Sequence, residues 1–118
     1  MPKHLTEHQV KAYDTDGFVC PIDVLSDEEV RRYRQELEDW ERQRGALIDF
    51  PEKSMSYLLF NWADQLVHHP AILDVVEDVI GPDSLVYHST LFVKEAHTPA
   101  YVRWHQDSTY LYLDPHEH

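Results

Sequence analysis

With 118 residues, a formal net charge of −12 and 42% hydrophobic residues, the chain is sized for one globular domain. Such acidity repels phosphate backbones and anionic lipid surfaces, which argues against nucleic-acid and membrane-surface partners. There is no apolar run near the ~20 residues of a membrane span, no apolar core of a signal peptide, and no second cysteine to pair with Cys20; the expectation is a soluble cytoplasmic protein.

Thr6 reads as the N-cap and Gly17 as the stop of a first helix carrying Val10 and Tyr13. Phe18 to Ile22 then reads as a short strand, with Pro21 confining it to an edge. Cys20, beside Pro21, is expected to be packed rather than reactive. Ser26 with Glu29 three residues on predicts a capping box, and Leu25 with Val30 a hydrophobic staple. Val30, Tyr33, Leu37 and Trp40 share one face of the helix that follows. Arg and Glu on the opposite face predict i,i+4 pairs such as Glu38 with Arg42, and Gly45 ends the helix.

Residues 46–56 read as a loop. Helical spacing returns at Leu58, Leu59, Trp62 and Leu66, predicting one helix from Tyr57 to His68. Pro70 suits the first turn of another helix, whose apolar positions are Ile72, Val75, Val76, Val79 and Ile80 and which Gly81-Pro82 closes. After Asp83 the character changes. Leu85 to Lys94 is rich in β-branched and aromatic residues, as strands are; Tyr101 to Asp107 reads as a second strand and Thr109 to Leu113 as a third. The predicted organisation is α+β in a single domain, a mainly helical layer over 1–83 followed by strands over 84–118.

The chemistry concentrates in Tyr101-Val102-Arg103-Trp104-His105-Gln106-Asp107. On a strand, His105 and Asp107 point the same way. An imidazole and a carboxylate so placed are two of the three ligands of a facial triad for non-haem Fe(II), a geometry that leaves positions open for a co-substrate and O2. The pair alone is weak evidence, because nine His and twelve Asp in this length produce roughly one His-x-Asp by chance. Lys94, at the end of the preceding apolar run, is a candidate cation for a co-substrate carboxylate.

The run Leu91-Phe92-Val93-Lys94-Glu95, a short loop, then Val102-Arg103-Trp104-His105-Gln106-Asp107 resembles the phytanoyl-CoA dioxygenase family. So do the helix from Pro70 to Asp83 and the opening Tyr13-x-x-x-Gly17-Phe18-Val19. The resemblance implies a fold in which these strands begin an incomplete double-stranded β-helix, jelly-roll or cupin-like, with helices packed on one sheet. It implies Fe(II) as cofactor and 2-oxoglutarate and O2 as co-substrates, with hydroxylation of a small organic metabolite. His105 and Asp107 would be the proximal iron ligands, Lys94 would lie near 2-oxoglutarate, and Tyr101, Trp104, Gln106 and Tyr110 would surround the site without assigned roles. Because Asp107 supplies a carboxylate where related halogenases carry a small residue, the resemblance implies hydroxylase chemistry.

The family's distal histidine and its 2-oxoglutarate arginine find no counterpart here. His116 and His118 follow Asp107 too closely to reach the metal from an opposite strand. The expectation is therefore a fragment of an oxygenase, inactive by itself. The alternative is a non-catalytic α+β interaction module that pairs through an open strand edge. Neither reading fixes the oligomeric state or the substrate.

Overall fold

The computed structural model describes residues 1–107 and residue 110. Its described elements are helical: α1 (Glu7–Asp16), α2 (Asp27–Arg44), a 3-10 turn (Ser56–Leu58), α3 (Asn61–Val67) and α4 (Pro70–Ile80).

Local chemistry sets the ends of the first two helices. Thr6 Oγ1 accepts from the Gln9 N–H, and the Gln9 side chain accepts from the Thr6 N–H in return. Ser26 and Glu29 form the same reciprocal cap on α2, as the spacing predicts. Gly17 and Gly45 close the two helices in the left-handed conformation, which a residue without Cβ adopts at little cost. Leu25 packs against the core while Val30 stays half-exposed. The ion pairing differs from expectation. Glu38 pairs with Arg34 at 2.7 Å, and Arg42 turns back one residue less to Asp39.

The helix expected from Tyr57 to His68 is two pieces. Phe60 takes an extended backbone between the 3-10 turn and α3. Its ring meets Trp40 edge-on at 5.2 Å and stacks on Trp62 at 5.6 Å. Aromatic packing of this residue from two sides wins over continuing the helix. Tyr33, Trp62 and Ala63 form the buried cluster, with Leu25, Leu37, Tyr57, Phe60, Leu66 and Leu91 packed on it.

α4 is tied to the chain's start by one carboxylate. Asp78 accepts the backbone N–H groups of Lys3 at 2.6 Å, His4 at 2.8 Å and Leu5 at 2.8 Å. Lys3 adds ion pairs to Glu77 and Asp74. The apolar positions of α4 are half-buried except Ile80, which is exposed, and Val75, Val76, Val79 and Ile80 line an open apolar groove with Tyr13 and Ile22.

No strand occurs among the described residues, which corrects the expected strands at 18–22, 85–94 and 101–107. A strand needs a neighbour to take its backbone hydrogen bonds. Here only a short piece finds one: Met55 N–H donates to Ser89 at 2.7 Å and Leu91 N–H to Lys53 at 2.9 Å, an isolated antiparallel bridge of Ser54 with Thr90. Phe92, Tyr101 and Trp104, which a sheet would cover, are exposed. Cys20, expected to be packed, is exposed too. The expected strand at 109–113, apart from Tyr110, and the tail histidines His116 and His118 lie outside the described residues.

Candidate metal and carboxylate site

Segment 101–107 is held by short-range contacts. The Arg103 carbonyl is an acceptor only, so the His105 Nδ1 atom 2.7 Å away carries the proton and donates to it. That fixes the tautomer. In the neutral ring Nε2 is then a lone pair, and it stands 3.1 Å from Oδ1 of Asp107. Two acceptors facing each other at this distance call for a positive species between them. A second ring proton satisfies this, and so does a metal ion. Donors bound in adjacent positions on one first-row ion at ~2.1 Å lie ~3 Å apart, so the pair is spaced to share a cation. A ligating histidine whose other ring nitrogen is held by a backbone carbonyl is the usual arrangement around such ions. No group of three or more His, Cys, Asp or Glu gathers for a metal among the described residues, so these supply two donors and not three.

An open groove of about 490 Å³ adjoins the pair, lined by Phe92, Tyr101, Arg103, Trp104, His105 and Tyr110. The Tyr110 ring meets the His105 ring edge-on at 5.9 Å, and the Tyr110 N–H donates to the Asp107 carbonyl at 2.8 Å. His105 keeps 42% of its side chain exposed and Asp107 79%, so both are open to a ligand from solvent. Of the residues singled out from the sequence, Tyr101, Trp104 and Tyr110 share the groove with His105. Lys94 and Gln106 are exposed and are not among its lining residues. Arg103 is in the groove and was not singled out. Its signal was present in the sequence, because it stands two residues before His105, on the side that strand alternation assigns to both donors.

His68 and His69 have structural partners. His68 caps α3 and contacts Asp64, and His69 precedes α4 with Nε2 3.2 Å from Glu29 Oε1. Glu29 also accepts from the Ser26 hydroxyl and N–H; these bonds, and after them His69, hold its carboxyl down at about 2.

The family model for phytanoyl-CoA dioxygenase matches residues 13–118. The chain belongs to the phytanoyl-CoA dioxygenase family. L-proline trans-4-hydroxylase from Streptomyces griseoviridis is 29% identical over 102 residues, covering 80% of this chain and 38% of that protein. This member of the phytanoyl-CoA dioxygenase family thus spans well under half the length of that relative. No solved structure matches the chain. Membership implies the family's cupin-like fold. Among the described residues no helix is long and apolar enough to cross a membrane.

Proposed function

We propose that the chain carries the proximal half of the iron site of an Fe(II)- and 2-oxoglutarate-dependent dioxygenase that hydroxylates a small organic substrate. The observation that carries this reading is the His105–Asp107 pair, two acceptors 3.1 Å apart with the imidazole's other nitrogen held by the Arg103 carbonyl, within a chain of this family. His105 Nε2 and Asp107 Oδ1 would hold the metal, and a third ligand would come from outside the described residues. Fe(II) bound there supplies the means of using O2 and 2-oxoglutarate to hydroxylate a C–H bond, with succinate and CO2 as the other products. The Asp107 carboxylate would offset metal charge and, as a ligand, would leave no place for a halide, which supports hydroxylation over halogenation. Tyr101, Trp104 and Tyr110 line the open groove beside the imidazole. The relative acts on L-proline by its name, so an amino acid or similar small acid is the substrate class to test first.

The reading by which the chain would pair through an open strand edge gains nothing from the structure, since no strand occurs among the described residues.

The test is Fe(II)-dependent succinate formation from 2-oxoglutarate by the complete protein, with L-proline as first substrate probe. Asp107→Ala is expected to abolish turnover. Turnover unchanged in Asp107→Ala would sink the proposal.

A further inference from the structure

We propose that Arg103 anchors a carboxylate of a small organic acid in the groove beside the His105–Asp107 pair. The inference rests on the iron-site reading above and adds a residue whose function that reading does not need.

Charge is the first argument. The chain holds 22 acidic and 10 basic residues, so an anionic ligand approaching it meets net repulsion. Binding such a ligand requires a local cation, and among the described residues Arg103 is the one Lys or Arg side chain lining this groove. Elsewhere Lys3, Arg34, Arg42, Arg44 and Lys53 are paired with carboxylates. Arg103 forms no ion pair among the described residues.

Geometry is the second. The Arg103 Nε and Nη2 atoms both donate to the Tyr101 hydroxyl, at 3.4 and 3.3 Å. The guanidinium carbon lies 5.9 Å from the centre of the same ring. These long contacts orient the guanidinium without neutralising it. The edge formed by Nη1 and Nη2 keeps its donors for a ligand, and that planar fork matches a carboxylate. The same residue's carbonyl holds His105. The backbone of Arg103 thus sets the imidazole, and its side chain presents a charge to whatever lies next to it. A carboxylate taken by this fork would fix a small acid in the groove against Phe92, Trp104 and Tyr110.

The carboxylate has two sources, the substrate or 2-oxoglutarate, and the experiment separates them. Calorimetric titration of the full chain, anaerobic and with Fe(II), uses 2-oxoglutarate and L-proline as probes. It compares the native protein with Arg103→Gln and Arg103→Lys, and Fe(II) affinity is measured in parallel. Arg103→Gln is expected to raise Kd for one of the two probes about 10-fold or more. Arg103→Lys should fall between, keeping the charge and losing the fork. Fe(II) affinity should stay unchanged in both, because the carbonyl that holds His105 remains. A rise for 2-oxoglutarate alone assigns Arg103 to the co-substrate; a rise for L-proline alone assigns it to the substrate. Equal Kd values for both probes across the three proteins overturn the inference, as does a native protein that binds neither. Failure of the iron reading shows elsewhere, as Fe(II) affinity that ignores His105→Ala and Asp107→Ala.

Discussion

His105 Nε2 faces Asp107 Oδ1 across 3.1 Å, and the carbonyl of Arg103 holds the other side of the ring. The contact is made without a sheet. It follows from chain-local bonds over five residues, from Arg103 to Asp107, with the Tyr110 N–H returning to the Asp107 carbonyl. The His105–Asp107 pair is therefore arranged by local backbone geometry, without long-range contacts.

The buried cluster is small, so its largest member carries much of the stability. Trp62 packs with Tyr33 and Ala63 and stacks on Phe60. Trp62→Ala should cost about 3–5 kcal/mol, from lost burial and the cavity left behind. Urea denaturation followed by circular dichroism checks it; a midpoint within error of the native protein's contradicts the packing described.

The Ser26–Glu29 cap should make stability depend on acid. Glu29 is lowered from 4.5 to about 2, chiefly by the Ser26 hydroxyl and N–H. A carboxyl lowered on folding stabilises fully above its unfolded value, and that contribution fades as pH falls toward the folded value. The window is therefore from 4.5 down to about 2. Glu29→Gln keeps a capping side chain but loses the charge. Its denaturation midpoint should lie below the native protein's near neutral pH and converge with it in acid. Ser26→Ala should cost about 1 kcal/mol near neutral pH. Midpoints at about pH 6 and about pH 3 measure both effects.

Asp78 clamps the N-terminal segment onto α4. Burial, the largest single influence, pushes its carboxyl up, but the N–H groups of Lys3, His4 and Leu5 together outweigh it and leave the carboxyl below the usual range. In Asp78→Asn one of the two accepting oxygens becomes an NH2 donor, set against either the Lys3 N–H or those of His4 and Leu5, and the charge is lost. Tm should drop by a few degrees, and the amide of Leu5 should lose hydrogen-exchange protection. The native clamp should weaken as pH falls through the lowered carboxyl value, whereas the Asn variant should show no such step. Unchanged exchange at Leu5 would show that the clamp is not what holds the segment.

What the sequence made legible was what is decided within a few residues. Ser26 and Glu29, Gly17 and Gly45, and Pro70 with Gly81 mark helix ends through contacts one turn long. The break at Phe60 was not legible, because it depends on Trp40 from another helix. Nor was the Asp78 clamp, whose partners lie 73 to 75 positions away. The composition of 85–94 and 101–107 suits strands, but pairing is a property of two segments, and only 53–55 comes alongside 89–91. His105 and Asp107 were legible as a pair from their spacing. Lys94 carries the same charge but does not line the groove, whereas Arg103 does.

The most direct measurement is Fe(II) affinity of the full chain under anaerobic conditions, by competition with a chromogenic chelator, for the native protein, His105→Ala and Asp107→Ala. Each substitution should weaken binding by at least about 10-fold, since each removes one of two donors. Equal affinity in all three proteins would contradict it and place the metal, and with it the chemistry, on other residues.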